Sequence, residues 1–401
     1  MKRSLCLLLL ALGSCSKVGP QGNTPSFPEI TQRWAQPVSG GDTPKAFGDL
    51  LITNEVGPNY QKSLGEVAFN LQTQTVAWRR PEVFYGQESV VIGNALVYFN
   101  GDHQLVAIDQ AGKDINRVEL PEDVKVVDTL GHLLFDAVQI SGDLLILPLE
   151  QAVLAYRIQD LLSGAAPVKP VWRYNVTPLA PNERAYFTSF SLDQQQGQYY
   201  VLEGKGSRTA RRAQTDLIRL DAATGREQWR KTLDTREQTD SARGGVINAQ
   251  NGTVLAQING TITVTAYQND GTERWKNPDI ICPGGVTTIL SHIVLHDDLA
   301  IISPFGDQCY TVLDLNTGAK RFVFSPPVGG SFGQIPAIVN GVMYATNGFL
   351  WAVDLKDGTV LGRSKTALDY AQGKTGTVIF DQPRNQLLVW AGKLNAFTPL
   401  R

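Results

Sequence analysis

Histidine and methionine are scarce in this 401-residue sequence, four and two respectively, and there are only four cysteines, none adjacent to another. So small a supply of ligands argues against a zinc site, since His103 and His132 have no companions at ligand spacing. A Cys-x-x-Cys-His haem-attachment motif is missing. So is a glycine-rich phosphate loop, because Gly204-Lys205-Gly206-Ser207 follows a strand and opens no helix. Surplus positive charge is also lacking: 36 Lys and Arg stand against 38 Asp and Glu, which argues against nucleic acid as the main partner. The apolar run at residues 5–12 is too short to cross a bilayer as a mature helix.

What is present is the composition of an ordinary globular protein, 42% hydrophobic and 18% charged. Its length would normally mean two or three domains, but a repeat array exceeds that limit because each unit packs only on its neighbours. At the N-terminus, Lys2 and Arg3 precede the apolar run, which ends in Leu12-Gly13-Ser14-Cys15. This sequence resembles a bacterial lipobox. It implies a signal peptide at 1–14, cleavage before Cys15 and diacylglycerol on the Cys15 sulfur; the alternative is an ordinary secretory signal with an incidental cysteine. Ser16 follows, which by analogy with Gram-negative sorting points to the outer membrane. Residues 15–28, with Gly19-Pro20, Gly22, Pro25 and Pro28, read as a flexible tether, and residues 29–401 as one folded body.

Residues 220–229 (Leu-Asp-Ala-Ala-Thr-Gly-Arg-Glu-Gln-Trp) are two short strands around a turn, in which Gly225 suits a left-handed position and Asp221 can accept the turn's own N–H groups. Variants of this phrase occur at 69–78, 105–112, 153–172 (stretched by an insertion at 161–170), 266–275, 313–322 and 353–358. Asp314, Gly318, Asp354 and Gly358 hold the matching turn positions, and Trp229 and Trp275 the strand that follows. A second hairpin precedes the phrase, best seen at 335–346 around Asn340-Gly341 and repeated at 90–99, 137–147 and 246–257. Each unit is therefore four short antiparallel strands over roughly 40 to 55 residues, the period of a propeller blade. Residues 378–397 supply three more strands and residues 31–34 a lone one. Joined, they predict an all-β, eight-bladed propeller closed by pairing of its N- and C-terminal strands.

The Asp-x-x-Thr-Gly turn and the Trp four residues after the Gly resemble the repeats of the pyrroloquinoline-quinone-like β-propeller superfamily, across nearly all of residues 29–401. With a lipobox, the pattern is most similar to the propeller lipoproteins of outer-membrane β-barrel assembly. That resemblance implies a non-catalytic scaffold in the cell envelope that binds proteins, including a β-barrel assembly protein, and needs no cofactor. The enzymatic alternative is a quinone-dependent periplasmic dehydrogenase. It would need pyrroloquinoline quinone with calcium and usually a vicinal disulfide, and the chain has no Cys-Cys pair. Turn capping accounts for Asp221, Asp314 and Asp354, and blade packing for Trp34, Trp78, Trp172, Trp229 and Trp275, without catalysis. Ser291-His292 and His296-Asp297-Asp298 lie in a hairpin where neighbours point to opposite faces, so a nucleophilic triad is not expected.

Two further expectations concern one face of the ring. Cys282 and Cys309 fall in connections that emerge on that face, which makes them candidates for a disulfide contributing roughly 3 to 4 kcal/mol. Long connections at 175–185, 231–243 and 276–290, with an insertion at 204–214, are expected to project there as loops. They carry Lys205, Arg208, Arg211, Arg212, Arg236 and Arg243, which are proposed to contact a protein partner.

Overall fold

The computed structural model describes residues 27–37, 44–56, 63–81, 89–100, 103–124, 138–164, 167–177, 182–239, 241–280, 282, 290–304, 309–326, 335–365, 367–368, 377–391 and 393–400. Eight antiparallel sheets follow one another along the chain. Blades 1 to 7 span residues 45–80, 90–119, 139–175, 183–237, 245–277, 290–324 and 337–364. Blade 8 combines Val378–Asp381, Gln386–Ala391 and Lys393–Phe397 with Gln32–Gln36 as its outermost strand. The two chain ends thus meet in one sheet, with Trp34 opposite Ala396. Blade 7 differs from the expected four strands: Glu29–Ile30 adds a fifth, running parallel to its outer strand Val360–Ser364. A single turn of helix, Ile158–Leu162, occupies the insertion in blade 3.

Packing explains the sequence pattern strand by strand. The second strand of a blade is covered on both faces, so Leu144–Pro148 and Val342–Asn347 are buried throughout; the first reads as an unbroken apolar run and the second as one up to Ala345. Outermost strands are half solvated, and Thr75–Arg80 alternates between exposed and partly covered positions. Eight apolar clusters join each blade to the next. One of them, where Leu51, Phe69 and Leu71 of blade 1 meet Leu388, Trp390, Leu394 and Ala396 of blade 8, closes the ring.

The repeated turn ties neighbouring blades together. Asp221 Oδ1 accepts hydrogen bonds from Thr224 N at 2.9 Å and Thr224 Oγ1 at 2.7 Å, and Asp314 holds Thr317 in the same way. At Asp354 the acceptor bond comes from Lys356 N at 2.9 Å. Gly225 has φ +68°, and a β-carbon there would lie 2.4 Å from the Trp172 ring of the preceding blade. Trp172 Nε1 also donates to Ala222 O at 3.2 Å. Trp275 repeats the arrangement over Gly318, Trp229 over Gly271 and Trp78 over Gly112, while Phe322 covers Gly358. In blade 1 the turn is built without glycine, with Gln74 at φ +56° and Asn70 Oδ1 accepting from Gln72 N and Thr73 N at 2.9 Å.

A candidate interaction face on blade 4

Blade 4 breaks the proportions of the ring. Its strands Glu183–Asp193, Gln198–Ser207, Arg212–Asp221 and Glu227–Glu237 run 10 or 11 residues, against 2 to 8 in the other blades. The segments expected as loops at 204–214 and 231–243 are therefore mostly strand. Continuous pairing carries Ser207 to Arg212 and Arg212 to Glu237. The physical reason lies in composition, since residues 198–207 and 212–221 contain no proline to interrupt the hydrogen-bond ladder and carry the apolar, β-favouring pieces Tyr199-Tyr200-Val201-Leu202 and Leu217-Ile218 that anchor it. The long strands end in a hairpin tip at residues 208–211, held by Arg208 N donating to Asn182 O at 3.3 Å and Thr239 N to Arg211 O at 3.1 Å.

A buried ionic cluster fixes the base of this hairpin. Glu203 and Asp216 are directly paired across adjacent strands and have no exposed surface. Lys205 Nζ lies 2.9 Å from Glu203 Oε2 and 2.9 Å from Asp216 Oδ2. Arg230 pairs with Glu203, with Asp216 at 3.1 Å and with Glu227 at 3.1 Å. Thr177, in the connection from blade 3, donates its N–H to Glu203 Oε1 at 2.6 Å, and Gln214 and Thr232 donate to Asp216 Oδ1 at 2.6 and 2.9 Å. Burial alone would raise both carboxyl pKa values. Donors outweigh it: Thr177, Lys205 and Arg230 hold Glu203 below the usual carboxylate range, and Lys205, Gln214 and Thr232 do the same for Asp216. Burial with a hydrogen bond to Glu227 pushes the Tyr174 hydroxyl well above its ordinary value.

The six expected contact residues divide accordingly. Lys205 is half-buried and neutralises the carboxylates beneath the hairpin. Arg208, Arg211 and Arg212 are exposed at the tip, Arg211 Nη2 donating to Gln238 O at 3.2 Å and Arg212 lying 3.6 Å from Glu237. Arg236 Nη1 donates to Ser241 O at 3.3 Å, and the Arg243 guanidinium stands beside Gly260 of blade 5. Arg184 was not anticipated. It is exposed, pairs with Gly206, and with Asn182, Glu183 and Arg208 lines a shallow pocket of about 160 Å³. Glu203 and Lys205, two apart on one strand and hence on one face, were the available signal for the cluster below.

Elsewhere, Cys282 and Cys309 are joined by a disulfide with a Cα–Cα distance of 5.8 Å. His296 ends an inner strand and lies 3.4 Å from Asp297 Oδ2, while Arg321 bridges Asp298 at 2.9 Å and Asp314. The Ser291 side chain and all of Cys15 and His132 lie outside the described residues. Among the described residues no three His, Cys, Asp or Glu are grouped to hold a metal ion.

Residues 213–392, a little under half of the chain, match the family model of "Outer membrane protein assembly factor BamB". The repeat is PQQ-like, and the propeller resembles BamB. The structure of BamB from Moraxella catarrhalis superposes with a TM-score of 0.56 at 17% identity, covering 92% of this chain and all of that one. A computationally designed protein, Ika8, gives 0.58 at 12% identity, covering 91% and 100%; Sqt1 from Saccharomyces cerevisiae gives 0.58 at 11%, covering 93% and 99%. At these identities the likeness is one of fold. No curated protein matches by sequence. The match to the BamB family model begins at residue 213 on the third strand of blade 4, so it includes Arg236 and Arg243 but none of Arg184, Arg208, Arg211 and Arg212.

Proposed function

We propose that this protein is a non-catalytic scaffold of the cell envelope that binds a protein partner through the blade 4 hairpin and serves the assembly of β-barrel proteins into an outer membrane. Cys15 would carry the lipid that holds it to that membrane, facing the periplasm. The observation that carries the reading is the hairpin: exposed Arg208, Arg211 and Arg212 stand on long strands whose base is fixed by a buried ionic cluster. Guanidinium groups on a rigid support suit recognition of carboxylates and peptide carbonyls, with little side-chain entropy to lose from the frame itself. No cofactor is needed for this role. The match to the assembly-factor family model lends support to the process, and the turn bonds made by Asp221 and Asp314 give those carboxylates a structural purpose.

Affinity purification of the lipidated protein from its own membrane, alongside R208E/R211E/R212E, tests the reading. Recovery of a barrel-assembly protein by the parent and its loss from the triple variant is the expected result. Equal recovery by both proteins would reject the hairpin as the contact. Dye reduction that depends on added pyrroloquinoline quinone and Ca²⁺ would favour the dehydrogenase instead.

A further inference from the structure

The N-terminal segment does more than begin the fold. Glu29 and Ile30 pair in parallel with Arg363 and Ser364 on the outer edge of blade 7, and Pro28 O accepts from Arg363 N at 2.9 Å. Ile30 is fully buried, and the Phe27 ring meets Trp351 edge-on at 5.6 Å. Gly362 is the residue that allows this docking, because a β-carbon there would lie 2.8 Å from Pro28 O and 2.6 Å from Leu400 Cδ1. Immediately afterwards Thr31 O accepts from Thr398 N at 2.9 Å, and Gln32–Gln36 completes blade 8. The chain is therefore fastened along blade 7 from Phe27 onward, with Phe27 against the cluster between blades 6 and 7 and Ile30 in the cluster between blades 7 and 8.

We infer that the outer edge of blades 7 and 8 is the surface turned toward the lipid bilayer, and that blade 4 faces away from it. This rests on the lipid anchor at Cys15 proposed above. Eleven residues separate Cys15 from Phe27. Fully extended, that stretch reaches at most about 40 Å. A folded body of this size has a radius of gyration of about 21 Å, hence a width beyond 50 Å. The tether is too short to let the ring present any side at random. In a closed ring of eight, blade 4 stands opposite blade 8 and three blades from blade 7. Its arginines consequently meet a water-exposed protein domain and not the bilayer carrying the anchor. The strap at residues 27–30 is the element that sets this orientation.

Energy transfer in vesicles of phosphatidylethanolamine and phosphatidylglycerol tests the inference, with acceptor dye on the lipid headgroups and donor dye at one introduced cysteine, Lys365→Cys or Thr209→Cys, both exposed positions. The lipidated protein should transfer several-fold more efficiently from position 365 than from 209. Phe27→Ala combined with Ile30→Asp, which releases the strap and lengthens the tether, should shrink that difference while circular dichroism still reports an intact ring. Equal transfer from the two positions, or more from 209, would overturn the orientation. Flotation of the lipidated and unlipidated proteins with the same vesicles separates the two ideas. If the lipid makes no difference to flotation, the anchoring reading fails and the inference with it; if only the lipidated form floats but transfer is equal, the orientation alone fails.

Discussion

Gly225 and Trp172 come from different blades, and each requires the other to stay as it is. Replacing Gly225 with alanine forces a β-carbon against the indole at a positive φ, so a loss of about 1–3 kcal/mol is expected in urea unfolding. Trp172→Ala should cost about 3–5 kcal/mol, because a buried ring and its hydrogen bond to Ala222 O are removed together. Parent-like midpoints for both variants would show that the indole–turn contact does not hold the blades. The Cys282–Cys309 bond closes a separation of 27 residues, so its reduction or the double serine variant should lower stability by about 3–4 kcal/mol. Non-reducing mass spectrometry should find neither thiol alkylatable.

At the scale of the element, the blade 4 hairpin is held by charges that have been taken out of water. Glu203→Ala leaves Lys205 and Arg230 short of a partner in a closed site, so a loss of about 3–5 kcal/mol is expected, larger than for R208E/R211E/R212E at the solvated tip. Hydrogen exchange should be fast at 208–211 and slow at 201–205 and 213–218 in the parent, with that contrast reduced by Glu203→Ala. The folded pKa values of Glu203 and Asp216 are depressed. Their contribution to stability is thus complete above the unfolded carboxyl range, about pH 4–5, and is lost as pH falls through the lower folded values. Melting temperature should drop between about pH 5 and 3, and less steeply in Glu203→Gln.

This hairpin also shows where sequence reading stops. Local signals were enough for the blades: Asn340-Gly341 dictates its own turn, and the Asp221 to Trp229 phrase recurs because the turn glycines of blades 2, 4, 5, 6 and 7 each lie under an aromatic ring of the preceding blade. The strands at 204–214 and 231–237 are decided by pairing across the sheet, and no local turn signal marks where such pairing will end. Lys205 groups with the tip arginines by charge alone, whereas the carboxylates that neutralise it, Glu203 two residues away and Asp216 on the next strand, become its partners only through strand pairing. Arg184 escaped for the converse reason, since only pairing with Gly206 brings it beside Arg208.

For the whole molecule, closure by the chain's own ends makes the ring a single rigid support. Trp390, in the cluster between blades 8 and 1, should be as sensitive as any core position, and Trp390→Ala should lower stability by about 3–5 kcal/mol. A closed ring leaves its outer strands and end faces for recognition, and blade 4 is where this chain's strands outgrow those of the repeat. The central claim is that the departure is the contact surface. Site-specific photo-crosslinking from position 211 in intact envelopes tests it most directly, with the same probe at position 357 of blade 7 for comparison. The account predicts adducts to a periplasmic domain of a barrel-assembly protein from position 211 and none from 357; partner adducts from 357 alone, or none from 211, would contradict it.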